Sequence, residues 1–230
     1  MTYLFSKYFR EARLYPTILG LIPLYLLQYY YLQSFLSLEP FLVNIVGNVS
    51  FSVVILYFVG EFFVRYPGKL FEDKVFEKKM KFPTTNFILF GNEEYSKDFK
   101  EKIRQKIKKD FSLDLPNEKE EIKDEKEARL KIREAVGLII KTVKDGHLVL
   151  KHNISYGFFR NLWSASILGL FFSIVLLCFS IGLSVGMFWF SVFLIIIYAG
   201  YLMLGKGVVV YFGENYARKL IEEYMNGNHE

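Results

Sequence analysis

Four groups of side chains in this chain have the type and spacing to do chemistry. Asn44, Asn48 and Ser52 recur at steps of four, which on a helix puts them on one face. A polar stripe inside an apolar segment must face another helix or water, so it serves as interhelical glue or as pore lining. Glu61 follows near the end of the same segment, where it supplies a ring of carboxylates in an oligomer or pairs with Arg65, four residues on. Residues 97–109 hold seven cations, Lys97, Lys100, Lys102, Arg104, Lys106, Lys108 and Lys109, against Asp98 and Glu101. On a helix Lys100, Arg104 and Lys108 share one face, and Phe99, Ile103 and Ile107 another. Three readings fit that basic face. It is a solvated surface, a patch on anionic lipid worth up to about 1 kcal/mol per residue, or a phosphate site in which Lys97, Lys100, Arg104 and Lys108 contact the ligand. Ser166, Gly169, Ser173 and Ser180 form the last group. Small residues at that spacing let helices approach closely, which reads as a packing seam first and a channel wall second.

Catalytic grammar is thin. Residues 200–206 match most of a P-loop string, but Gly207 stands where Ser or Thr is required and an apolar segment precedes it in place of a strand. His147 and His152 lack a third ligand, and a zinc site needs three or four. No nucleophile elbow, His-Glu-x-x-His motif or carboxylate pair stands out, so the sequence implies neither an enzyme nor a cofactor.

The elements that carry these residues follow from segregation of charge. The chain has 230 residues, 52% of them hydrophobic, yet also 29 Lys/Arg and 24 Asp/Glu. Residues 14–38, 40–60 and 161–205 contain no charged side chain. A bilayer-spanning helix needs about 20 apolar residues, so these runs predict four transmembrane helices in a 2+2 arrangement, the last run folding as a hairpin near residues 181–186. The predicted fold class is a mainly α membrane protein with a small cytoplasmic α+β module between the second and third spans. The expected domains are residues 1–64 (the N-terminal segment and spans one and two), 65–160 (the basic module), 161–207 (spans three and four) and 208–230 (a tail). A soluble globule, a secreted disulfide scaffold and a disordered chain are excluded. Cys178, the single cysteine, can form no intrachain bridge. The first run reads as a retained span, because Gln28, Gln33 and a tyrosine run stand where a signal peptide would place a small-residue cleavage site. No Lys or Arg occurs in the loops near residues 37–40 and 181–186. The positive-inside rule then puts both termini and the module in the cytoplasm.

Within span one, Pro16 suits a first helical turn and Pro23 bends the helix. In the module, residues 86–90 followed by Gly91-Asn92 read as a short buried strand and turn, and residues 148–150 as a second strand. Ser96 is the expected N-cap of a helix that Leu115-Pro116 breaks. Ala128, Ile132, Ala135, Val136, Ile139 and Val143 define a second helix, from near Asp124 to Asp145-Gly146. Residues 208–212 prolong span four or form an interfacial piece, and residues 217–225 read as a surface helix.

Three strings carry a family resemblance: Phe82-Pro83-Thr84-Thr85, the basic helix ending in Leu115-Pro116, and the ten residues His152-Asn-Ile-Ser-Tyr-Gly-Phe-Phe-Arg-Asn161. With the overall layout they resemble the membrane effectors encoded beside nucleotidyltransferases in bacterial antiphage defence, of the Hailong kind. That resemblance implies a homotetrameric ion channel of the inner membrane. It would be kept shut by a single-stranded DNA oligomer made by the partner nucleotidyltransferase and opened on infection to depolarise the cell. The competing reading is a non-conducting membrane anchor or scaffold that recruits a cytoplasmic protein. The candidate residues above come from the physical reading and not from the resemblance.

Overall fold

The computed structural model describes residues 6–32, 56–143, 146–182 and 184–227. It divides into two compact units, an apolar unit of residues 1–71 and 157–209 and a module of residues 72–156 and 210–230. Among the described residues there is no strand.

In the apolar unit, α1 (residues 7–32) runs from Lys7–Phe9 through a π-helical Arg10–Leu14 into Tyr15–Leu27 and a π-helical Gln28–Leu32. Helix α2, described from residue 56, is π-helical over Val59–Arg65 and α-helical over Tyr66–Val75, its last residues belonging to the module. Prolines account for much of this irregularity. Pro16 and Pro67 each lie just beyond a widened turn, and there the amide of the preceding residue bonds five residues back, Tyr15 to Arg10 and Tyr66 to Glu61. A proline ring clashes with the carbonyl four residues before it, and widening the helix relieves that clash.

In the module, Phe82 is extended and Pro83 opens α3 (Pro83–Ile88). Helix α4 (Lys97–Phe111) is capped by the Ser96 hydroxyl, which accepts from the Phe99 amide, and ends at Ser112 in the left-handed region (φ 55°). A capping box at Asn117 starts α5 (Glu118–Lys123), and α6 (Glu125–Val143) follows. Ile88, Ile103, Ile107, Ile132, Ala135, Ile139, Leu220 and Ile221 form its core, each at most 1% exposed.

Two long helices pass through both units. Helix α7 (His147–Ser180) belongs to the module up to Tyr156 and to the apolar unit from Gly157, and α8 (Val185–Asn226) changes unit between Val209 and Val210. Gly182 (φ +74°) makes the turn between them, a conformation open to glycine. Both are long and apolar enough to cross a membrane, and only 33% and 17% of their most apolar 18-residue stretches are buried. A core helix of a soluble protein would be mostly covered. The chain is therefore membrane-associated.

The predicted fold class needs two corrections. Among its described residues the module holds helices and loops and no strand. Residues 86–90 end α3 and continue as loop, and residues 148–150 lie inside α7. Burial of Phe87, Ile88 and Leu89 matches the apolar run (5%, 0% and 6% exposed). A short apolar run does not distinguish strand from helix, however, and Pro83 at the first helical position decides for helix. The second correction is that two candidate spans, not four, occur among the described residues. The α-helical stretch Tyr15–Leu27 has 13 residues and is flanked by π-helical turns, and the first charge-free run from residue 33 on, like most of the second, lies outside the described residues. The described part of α2 carries Glu61, Arg65 and Lys69. The C-terminal expectations also merge, because residues 208–226 continue α8 without a break.

Candidate functional site

The apolar unit contains a cluster of charge. Glu61, in the π-helical part of α2, shares its carboxylate: Oε1 accepts from Arg13 Nη1 at 2.8 Å and Oε2 from Arg65 Nη1 at 2.5 Å. Arg13 lies in the π-helical part of α1 and is 8% exposed. Two guanidinium groups around one carboxylate leave one excess positive charge. Arg65 is four residues from Glu61, whereas Arg13 is 48 residues away, where no spacing rule would point. Asn44, Asn48 and Ser52, the other pore candidates, lie outside the described residues.

Around this cluster the polar side chains of α7 and α8 meet backbone carbonyls of α1 and α2. Asn161 Nδ2 donates to Ala12 O at 2.6 Å, and the Tyr198 hydroxyl to Leu19 O at 2.6 Å. The ordinary helical donor to Ala12 O is the amide of residue 16, and to Leu19 O that of residue 23. Both positions are proline. Each bond therefore supplies a donor that a proline removed, as apolar surroundings require. Ser164 Oγ donates to Val64 O in the widened part of α2. Ser166, Ser173 and Ser180 are buried and donate to carbonyls of their own helix, those of Leu162, Gly169 and Leu177. Gly169 faces Tyr198, and a Cβ there would stand 2.5 Å from the ring. These four residues thus lie on an inner face of α7.

The basic helix α4 of the module is organised differently from its helical-wheel reading. Lys100 is 1% exposed and its ammonium group donates to the carbonyls of Phe90 and Asn92. The Arg104 guanidinium donates to the carbonyls of Ile88 and Pro116 and to Glu121, and lies 4.2 Å from the Phe90 ring centroid. Glu121 in turn accepts from the Phe90 amide at 2.8 Å. Burial lowers the pKa of Lys100 and of Arg104, and the Glu121 charge opposes that shift in both. The shared solvent-facing surface expected for Lys100, Arg104 and Lys108 is corrected accordingly: two of these cations tie the loops around α3 and α5 to α4. Lys97 and Lys108 are exposed and paired, with Glu118 at 2.6 Å and Asp114 at 2.7 Å. Lys102 and Lys109 are also exposed.

The P-loop-like string lies within α8, where the backbone is helical rather than looped. Among the described residues no group of three or more His, Cys, Asp or Glu side chains is placed to hold a metal ion. Sequence reasoning missed Arg13, Asn161, Tyr198 and Glu121. A signal existed for two of them, since each proline in an apolar helix marks the carbonyl four residues earlier as one in need of a donor. No family model, curated protein or solved structure matches this chain.

Proposed function

We propose that the chain is the subunit of a homo-oligomeric, ligand-gated ion channel of the bacterial inner membrane, with the module and both termini in the cytoplasm. The observation that carries this reading is the Arg13–Glu61–Arg65 cluster in the apolar unit. Ionisable groups among apolar helices are costly and mark ion or substrate pathways. These sit on proline-broken, widened helices of the kind that functional sites use. Helices α7 and α8 run unbroken from the module into the apolar unit, which suits a sensor coupled to a gate.

The ligand comes from the resemblance: a nucleotide or single-stranded DNA oligomer made by a partner nucleotidyltransferase, acting on a tetramer in antiphage defence. Its phosphates would meet the exposed cations of α4, Lys102, Lys108 and Lys109, while Asn44, Asn48 and Ser52 would line the pore.

Recording from the purified protein in planar bilayers tests the reading. Conductance that changes on adding a single-stranded oligonucleotide supports it, and no conductance under any ligand condition overturns it. A non-conducting scaffold is favoured by one observation: Asn161, Ser164 and Tyr198 are all spent on internal carbonyls. It predicts oligomers that never conduct. For topology, a reporter fused at Glu230 is expected to be active only in the cytoplasm, and periplasmic activity contradicts that orientation.

A further inference from the structure

Residues 69–82 have the sequence of a helix that the structure does not complete. They include no Gly or Pro, and residues 77–81 read Glu-Lys-Lys-Met-Lys, all good helix formers, with Glu77 and Lys81 in the order and spacing that favour a helical ion pair. Yet α2 stops at Val75, and Glu77, Lys78 and Lys79 follow with φ of 46°, 53° and 69°. Left-handed backbone is disfavoured for every L-residue with a Cβ. Three in succession, none of them glycine, persist only where their surroundings hold them.

The hold is at Met80 and Lys81. Arg129 of α6, with 15% of its side chain exposed and Nε bonded to Glu125 at 2.7 Å, donates through Nη1 to Met80 O at 3.0 Å and to Asn86 Oδ1 at 2.5 Å. Asn86 of α3 extends the contact, its Nδ2 donating to Lys81 O at 3.0 Å. Behind the turn Phe76, 4% exposed, meets Phe82 edge to face with centroids 4.8 Å apart. Within it the amides of Lys78 and Lys81 reach back five residues, to Asp73 O and Phe76 O, instead of the four of a helix. Glu77, Lys78 and Lys79 are exposed, and the Glu77–Lys81 ion pair serves a continued helix equally well. Local preference and tertiary contacts thus pull residues 76–81 in opposite directions, the condition for an element with two states.

We propose that residues 76–81 are a conformational latch on α2, shut as the left-handed turn under the Arg129–Asn86 clasp and open as a right-handed continuation of α2 through Lys81. Opening requires Arg129 to leave Met80 O. It adds six residues, about 9 Å, to the helix. Glu61 lies on the same helix, so the latch gives the module a handle on the charge cluster; that last step rests on the channel reading, and the two states themselves do not.

Hydrogen exchange of the full-length, detergent-solubilised chain tests this, read as protection of the amides of residues 77–81. Arg129→Gln is expected to raise that protection about tenfold, because the freed segment becomes helix. A clasp that merely steadies a loop predicts a fall. Adding Lys78→Gly and Lys79→Gly, which suit the left-handed turn and weaken a helix, should return protection to the wild-type level. Unchanged or lower protection in Arg129→Gln overturns the proposal, and so does protection that survives the two glycines. Where Arg129→Gln also deprotects the core amides of Ile103 and Ile107, Lys79→Val decides instead. It alters only the exposed turn, β-branched residues being worst at positive φ, and should raise protection of residues 77–81 about tenfold; no rise overturns the latch. Exchange is read without conductance, so these outcomes stand whether or not the chain conducts.

Discussion

In the module, Lys100 and Arg104 reach carbonyls at the end of α3 and in the loops around residues 90–92 and 116. In the apolar unit, Asn161 and Tyr198 reach Ala12 and Leu19, which lie within a helix. Both regions bury polar side chains, and both direct them to backbone oxygens. The oxygens are free for different reasons. A carbonyl at a helix end or in a loop has no intrahelical partner by position, whereas Ala12 and Leu19 lose theirs to Pro16 and Pro23. The difference also governs which donors are used. The module holds whole cations and pairs them with Glu121, while the prolines of the apolar unit are answered by a neutral amide and a hydroxyl, which cost less to desolvate.

The largest effect is expected from removing a module cation. Arg104→Ala strands Glu121 and the carbonyls of Ile88 and Pro116, and should destabilise the chain by about 3–5 kcal/mol, the range for breaking a buried pair. Thermal melting of the detergent-solubilised protein measures it. Lys108→Ala, which loses only an exposed pair, should cost under about 1 kcal/mol by the same measurement. Equal effects would erase the distinction between the buried and exposed cations of α4.

On the apolar side, Gly169→Ala drives a methyl group into the Tyr198 ring. It should cost about 1–3 kcal/mol, as overpacking does, and weaken the Tyr198 bond to Leu19. A smaller loss, about 1 kcal/mol, is expected for Asn161→Leu. Pro16→Ala should recover most of it by restoring an amide to Ala12 O. A loss that persists in full in the Pro16→Ala background would separate Asn161 from the proline.

How much of this was legible depends on where the partner lies. The bounds of α4 and α6 follow from Ser96, from the four-residue recurrence of Phe99, Ile103 and Ile107, and from the apolar face of Ala128 to Val143, because caps and periodicity are local. The burial of Lys100 and Arg104 was not legible. A helical wheel assigns cations to solvent, and the oxygens that hold them come from segments that tertiary folding delivers. At residues 86–90 the sequence signalled burial but not geometry. Glu61 with Arg65 is a local pair, while Arg13 becomes its partner only when α1 packs on α2.

The smallest effect belongs to the module surface. Arg218 holds Glu94 in two contacts, at 2.5 Å and 3.2 Å, and its hydrogen bond lowers the Glu94 pKa from the ordinary value of 4.5. A carboxylate with a depressed folded pKa contributes stability that is fully present above its unfolded value and lost as pH falls through the folded one. Melting between pH 6 and 3 should therefore lose about 0.5 kcal/mol more in wild type than in Glu94→Gln. Identical pH profiles would remove this pair from the accounting.

Both halves of the comparison rest on one claim: a backbone carbonyl that has lost its own donor is answered by a buried polar side chain. A double-mutant cycle on Tyr198→Phe and Pro23→Ala tests it most directly, with unfolding free energies measured in the same detergent. Removing the hydroxyl is expected to cost about 0.6–1.7 kcal/mol beside Pro23, and less than about 0.3 kcal/mol once alanine returns an amide to Leu19 O. The same cost in both backgrounds would contradict the claim and leave Tyr198 as a packing residue alone.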